Sequence, residues 1–325
     1  MTAYRTANLF GRNVGTGLAR HIVVVTECLR DAGYEVVHHD MPRRRRGEHL
    51  IAHAQRWLPR RRRLDLNVFL QELSPSCFHQ ARTNILIPNQ EWFDVRDLDL
   101  LRGIDHVVTT SQHALDVFSW RGPNVVNFGF TCDDRLLSDF GRPRHRILHA
   151  AGRSPFKGTA SLARVWCRHP EWPTLTLLHA EGILEPLDVP NIEQRIGYIE
   201  DDLLRQLQNE SWLHLLPTEA EAFGHSLCEG LSVGALVLTV DGPPMNELVR
   251  ADRGVLVPYE SRTRLHLGWR FLVDEHALEQ TLAEIIARGP ARYAPEMARA
   301  RSWFLHNDAR VRRELSEFFD RATRE

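Results

Sequence analysis

"LLPTEAEAFGHSLCEGLSVGALVLTVDGPPMNELV", residues 215–249, is the stretch that decides the fold. The apolar run ending at Pro217 reads as a strand, and a polar loop follows it. A helix starts near Gly224 with "HSLCEGLSVG", and "ALVLTVDG" is the next strand. A strand, a crossover helix and a second strand make a unit whose strands run parallel and are covered on both faces.

The same alternation extends outward over nearly the whole chain. "RHRILHAAG", "LTLLHAE", "NIEQRIGYI", "WLHLLPT" and "GVLVPY" are further strand candidates in the second half. "GTASLARVWCRH", "EDDLLRQLQ" and "DEHALEQTLAEIIARG" supply helices between or after them. In the first half "YRTANLF", "EVVHH", "LNVFL", "NILIP", "HVVTT" and "NVVNF" are strands. There "GLARHIVVVTECLRDAG" and the serine-capped "SQHALDVFSWRG" are helices. The polar stretch "TCDDRLLSDFGRPRHR", broken by Gly141 and Pro143, sets a hinge near residues 131–145. The expected organisation is α/β: an N-terminal Rossmann-like domain over 1–140 and a C-terminal one over 141–300. Two helices, "PEMARARSWFLHND" and "ARVRRELSEFFDRA", end the chain, with 301–325 packing back on the N-terminal domain. Two doubly wound domains facing across a cleft bind ligands where the carboxyl ends of their strands converge.

Composition bounds the function. A formal net charge of -1 supplies no global field to recruit nucleic acid, so none is expected as a partner. Five scattered cysteines with no CxxC pair suggest neither a disulfide framework nor a zinc site. No signal-peptide pattern opens the chain and no apolar run approaches membrane-spanning length, which points to a cytoplasmic protein.

Within residues 215–249, Glu221 sits on the loop above the sheet edge and Glu229 about one turn into the helix. Both carboxylates can reach one ligand from different sides, though two glutamates near a helix start also simply favour its dipole. The backbone N–H groups of His225, Ser226 and Leu227, just after Gly224, form a ready phosphate site. A second clue lies upstream in "LHAAGRSPFKGTASL". Of 41 basic side chains all but one are arginine, and the single lysine is Lys157, four residues after Arg153.

These pieces resemble, in order, the retaining GT-B glycosyltransferases of family 4. "AAGRSPFKG" resembles their G-R-x(n)-K-G loop, and "RIGYIEDDLLRQLQNESWLHLLPTEAEAFG" their helix, strand and E-x-F-G series. Residues 221–229 are similar to the E-x7-E signature, and "DGPPMNELVRADRGVLV" to the glycine-rich turn that follows it. The similarity runs over roughly residues 146–290. In the first half "NVGTGLARHIVVVTECLRDAGYEVV", with Gly15 and Gly17, looks like the family's opening glycine loop.

The resemblance implies a GT-B fold and transfer of a sugar from a nucleotide-diphosphate donor to an acceptor hydroxyl, with retention and without metal or resident cofactor. It implies that Arg153 and Lys157 embrace the diphosphate and that Glu221 contacts the donor sugar. Glu229 would hold the ribose, and the base would lie near Tyr198 and Ile199. The acceptor is expected to be a glycan or a lipid-linked sugar in cell-surface polysaccharide synthesis. A same-fold epimerase or hydrolase, or a non-catalytic glycan- or partner-binding subunit, are the alternatives. Where many family members carry a histidine after the fourth strand, this chain has Asn89, Gln90 and Glu91, so no catalytic histidine is assigned.

Two other features stand apart. The runs Arg43–Arg46 and Arg60–Arg63 are either solvated clusters or a basic face for peripheral contact with an anionic membrane. Asp97 and Asp99 form a D-x-D string, which the helical spacing of Val95, Leu98 and Leu101 predicts to be a solvated helix face.

Overall fold

The computed structural model describes residues 5–12, 16–41, 64–121, 124–138 and 144–323. The chain divides into two compact units. One is Met1–Cys132 with Leu265–Gly268 and Asp308–Glu325; the other is Asp133–Arg264 with Trp269–Asn307.

The first unit contains β1 (Arg5–Phe10), α1 (Thr16–Asp31), β2 (Tyr34–His39), β3 (Leu64–Leu70), β4 (Ala81–Ile87), β5 (His106–Thr109), α2 (Gln112–Phe118) and β6 (Val125–Asn127). Its strands are parallel in the order β2-β1-β3-β4-β5-β6. The helical spacing read in α1 buries Val25, Cys28 and Leu29 completely. Ser111 caps α2 by accepting from the N–H of Ala114 at 3.0 Å.

A buried asparagine ladder crosses this sheet, with Asn8 opposite Asn67 and Asn67 opposite Asn84. Asn84 donates to the carbonyls of Phe78 (3.1 Å) and Gly103 (3.2 Å), so its own oxygen is turned to Asn67. Asn67 donates to that oxygen and to the Cys77 carbonyl, each at 2.9 Å. Asn8 then donates to Asn67 at 3.0 Å, and the Asn8 oxygen meets His39 Nε2 at 2.8 Å. Backbone carbonyls at one end thus set the direction of every amide and make Nε2 of His39 the donor. A slipped register would bury these amides without partners, so the ladder specifies the strand pairing.

The second unit contains β7 (Arg146–Gly152), α3 (Thr159–Cys167), β8 (Leu175–His179), β9 (Ile192–Ile196), α4 (Asp201–Glu210) and β10 (Ser211–Leu215). It continues with α5 (His225–Ser232), β11 (Leu236–Val240), α6 (Met245–Leu248) and β12 (Val255–Val257). Its six strands are also parallel, in the order β12-β11-β10-β7-β8-β9. All five residues of β8, β10 and β11 are buried, as strands covered on both faces require.

Two features depart from expectation. A hairpin, β13 (Tyr259–Leu265) and β14 (Gly268–Val273), follows β12 and precedes α7 (Glu275–Arg292). The two terminal helices are one, α8 (Ala294–Arg321). The Asn307–Asp308 pair does not interrupt it, because Asp308 is held at 2.7 Å by Arg312 one turn on. The helix contains no glycine, and its only proline, Pro295, stands in the first turn, where no intrahelical N–H is needed. Within the first unit, the last turns of α8 meet α1 through Arg312 and Glu27 at 2.6 Å, and the Tyr34 hydroxyl donates to the Phe319 carbonyl at 2.9 Å.

Buried histidines make stability depend on pH. Burial pushes His149 and His214 down to about 4 and His21 down to about 3. The folded state keeps them neutral, while the unfolded chain takes up protons below the usual histidine value, near 6.5. Stability therefore rises with pH from about 4 to about 6.5 and levels off above it, with each group contributing roughly 2–3 kcal/mol. His169 shifts the other way through Glu279 and Glu171, but this surface group is screened and opposes only weakly. The urea midpoint should fall clearly between pH 7 and pH 5. Equal midpoints would contradict the neutral burial of these rings.

Candidate functional site

In the second sheet β7 is followed on one side by β8 and β9, and on the other by β10, β11 and β12. The winding reverses between β7 and β10, and the loops leaving adjacent strands at such a point diverge and leave a crevice for a ligand. The loop after β7 carries Arg153 and Lys157; the loop after β10 carries Glu221 and leads into α5. The sequence candidates therefore converge at the place where topology predicts a site.

The two loops are packed hard against each other. Gly158 has φ 66°, and a Cβ there would lie 2.2 Å from the Pro217 carbonyl oxygen. Two residues along, the N–H of Glu219 donates to the Phe156 carbonyl at 2.7 Å. Between these contacts Lys157 reaches across, pairs with Glu221 and donates to the Ser226 hydroxyl at 3.0 Å. The Lys157 and Glu221 side chains are only 11% and 13% exposed. His149, at the base of the first loop, meets the Leu215 carbonyl through Nδ1 at 2.6 Å and the Thr159 hydroxyl through Nε2 at 2.9 Å. That ties β7, β10 and the start of α3 beneath the lysine.

At the start of α5, Gly224 has φ 71° and the first helical bond runs from Cys228 N to the Gly224 carbonyl at 2.9 Å. The N–H groups of His225, Ser226 and Leu227 thus precede the helix's own ladder. The Leu227 side chain is wholly buried, and the His225 ring stands edge-on to Phe223.

The other candidates are more dispersed. Arg153 is exposed and has no hydrogen-bond or ion-pair partner among the described residues. Glu229 is 3% exposed, and its Oε2 accepts from Gln208 at 2.7 Å. The Gln208 oxygen in turn accepts from Arg135 at 3.0 Å, and Arg135 pairs with Asp201 at 2.7 Å. Glu229 is therefore joined to a network that runs through Gln208 and Arg135 to Asp201, and is also a member of the E-x7-E pattern. Tyr198 is 70% exposed, whereas Ile199 packs on Leu148, Leu178 and Leu207.

In the first unit Gly17 lies in the first turn of α1. Gly15, with Arg43–Arg46 and Arg60–Arg63, lies outside the described residues. Asn89, Gln90 and Glu91 are all buried, with Gln90 donating to Glu91 at 2.9 Å. The D-x-D string needs correction: its segment, Val95–Gly103, is a 3-10 helix that buries Asp97 and exposes Asp99. Three-residue turns and the contacts of the preceding loop replace the α-helical face that the spacing suggested. Among the described residues no group of three histidine, cysteine or acidic side chains is placed to hold a metal ion.

Sequence reading missed Glu219 and Arg270. Glu219, 5% exposed, accepts from Arg270 Nε at 2.7 Å, and its carbonyl accepts from the Phe271 N–H at 2.7 Å. The Arg270 guanidinium lies 5.2 Å above the Phe156 ring.

The architecture is the GT-B fold. Sucrose-phosphate synthase from Thermosynechococcus elongatus superposes with a TM-score of 0.72 at 15% identity, over 97% of this chain and 98% of that one. Anabaena HepE, solved in complex with UDP and glucose, gives 0.68 at 12% identity over 97% and 99%. WaaG, a glycosyltransferase involved in lipopolysaccharide biosynthesis, gives 0.64 at 13% over 97% and 99%. No curated protein matches the sequence. The resemblance to glycosyl transferases group 1 is carried by residues 188–288, which match the model of that family and include Glu221, Glu229 and the start of α5.

Proposed function

We propose that the chain is a retaining, metal-independent glycosyltransferase that takes its donor as a nucleotide-diphosphate sugar in the second unit. The observation that carries this reading is the Lys157–Glu221–Ser226 constellation at the winding reversal, beside the start of α5. A leaving diphosphate gains negative charge as the glycosidic bond breaks. Cations fixed in advance stabilise that charge more in the transition state than in the ground state. Lys157, exposed Arg153 and the N–H groups of His225, Ser226 and Leu227 are the groups assigned to it.

Lys157 is already neutralised by Glu221, so a diphosphate competes for the same ammonium. Transfer of Lys157 to phosphate would release Glu221 to accept from a hydroxyl of the donor sugar. Glu229, Tyr198 and Ile199 are assigned to the nucleoside. No enzymic nucleophile is assigned; front-face displacement fits, with the leaving phosphate taking the acceptor proton. No resident cofactor is needed for that chemistry.

The acceptor, a glycan or lipid-linked sugar, is assigned to the first unit by the same resemblance. UDP and glucose in HepE, and the lipopolysaccharide role of WaaG, support a nucleotide-sugar donor and a glycan acceptor. Among the described residues no helix is long and apolar enough to cross a membrane. A cytoplasmic enzyme that touches anionic lipid peripherally through Arg43–Arg46 and Arg60–Arg63 completes the proposal.

The two glutamates separate in a kinetic test. Nucleotide sugars are screened for nucleoside diphosphate release with EDTA present, and the active donor is then used with variants. Glu221→Gln should depress kcat, because its partner sugar ring changes during reaction. Glu229→Gln should chiefly raise donor KM, because the ribose does not change. Reversed patterns would remove the donor from this placement.

A further inference from the structure

We infer that Glu219 is a positioning residue for the Lys157–Glu221 pair, and that Arg270 on the β14 strand holds it in place. The inference rests on the donor-site reading above and adds to it two residues outside the signature motifs.

The geometry is local and complete. The main chain of Glu219 is bonded on both sides: its N–H donates to the Phe156 carbonyl and its carbonyl accepts from the Phe271 N–H, both at 2.7 Å. Its carboxylate, 7% exposed, takes Arg270 through Nε at 2.7 Å and through the terminal nitrogen at 2.6 Å. Arg270 also covers the Phe156 ring at 5.2 Å. Phe156 directly precedes Lys157, and Glu219 stands two residues before Glu221. One residue of the glutamate loop therefore joins the lysine loop and the hairpin, through its main chain to both and through its carboxylate to Arg270.

The joint has a reason to be charged. An isolated carboxylate this buried is costly unless a cation and hydrogen bonds meet it. A guanidinium supplies two donors in a fixed plane and also stacks on an aromatic ring, and Arg270 does both. A neutral side chain would leave only the main-chain bonds to fix Phe156 against Glu219, and a displacement of about 1 Å in a reacting group can cost about a hundredfold in rate. Arg270 thus acts on the lysine only through Glu219 and Phe156. The other arginines of the hairpin face elsewhere: Arg262 and Arg264 stack on Trp269, at 4.5 and 4.4 Å.

The single lysine makes the idea measurable without substrate. Isotope-labelled lysine marks Lys157 alone, so one Cε and one Nζ resonance report its surroundings in the full-length protein. In Glu219→Gln and Arg270→Gln both resonances should move toward their positions in Glu221→Gln, where the pair is absent. Glu219→Asp, which keeps the charge and adds no lysine, should restore part of the shift and part of the activity. With an active donor, Glu219→Gln should lower kcat about tenfold and change donor KM less than threefold. Circular dichroism and the urea midpoint, measured on every variant, identify any that lose the fold. For those the conservative Glu219→Asp carries the test. Resonances unchanged in both Glu219→Gln and Arg270→Gln would overturn the proposal. A shift that follows the prediction in a protein that binds no nucleoside diphosphate would sustain the positioning role while removing the donor-site reading.

Discussion

Lys157→Ala should lower kcat by about a hundredfold or more, the effect of removing one preorganised group that stabilises transition-state charge. The lysine is held at 3.0 Å from Ser226 and against Glu221 in a slot that leaves 11% of it exposed. Arg153, the other basic residue of the loop, is exposed at its far end. Lys157→Arg should rescue only in part, because a planar fork needs more room than a compact ammonium and meets a different set of acceptors. Steady-state kinetics decides it, with circular dichroism to show the fold intact. Full activity in the alanine variant would remove the charge-stabilising role.

Gly158→Ala should be the most damaging single-methyl change in the site. A residue with a side chain loses about 1–2 kcal/mol at a left-handed φ, and forced overpacking adds about 1–3 kcal/mol. The atom in the way is the Pro217 backbone oxygen, 2.2 Å from the new Cβ, and a backbone atom cannot swing aside as a side-chain tip can. The expected loss is about 3 kcal/mol or more, and the surviving protein should be inactive because the lysine loop must back away from the glutamate loop. Gly152→Ala is the internal control. Its φ of 59° is similarly left-handed, but nothing lies within 4 Å of the added carbon. That variant should lose only about 1–2 kcal/mol. Urea midpoints for the two would separate crowding from backbone strain, and equal losses would contradict the close approach of the loops.

Most strands of both sheets were legible because they are short apolar runs between polar breaks; "LVLTV" of β11 is buried at all five positions. Their lateral order was not. Pairing β7 with β10 joins residues more than sixty positions apart, and no local pattern encodes it. Lys157, Glu221 and the start of α5 could be singled out through the ordered resemblance, but their convergence depends on that pairing. Glu219 escaped notice because a carboxylate beside another in a loop reads as solvated, and only the tertiary structure buries it. Arg270 was hidden with it. Its hairpin turns at His266–Leu267 without the Asn-Gly or Asp-Gly that mark tight turns, and β13 is exposed along most of its length. The asparagine ladder was equally silent, since Asn8, Asn67 and Asn84 are polar residues placed inside otherwise apolar strands. Asp97 went the other way, buried where the helical spacing left it outside.

The central claim is that the winding reversal of the second sheet holds a nucleoside diphosphate through Lys157. Calorimetric titration of the full-length protein with UDP, GDP and ADP, repeated on Lys157→Ala, tests it most directly. At least one of the three should bind the unsubstituted protein saturably at one site, and the alanine variant should bind it at least about tenfold more weakly, the loss expected for a charge-assisted contact. Absence of binding by all three, or equal affinity in the two proteins, would contradict the account.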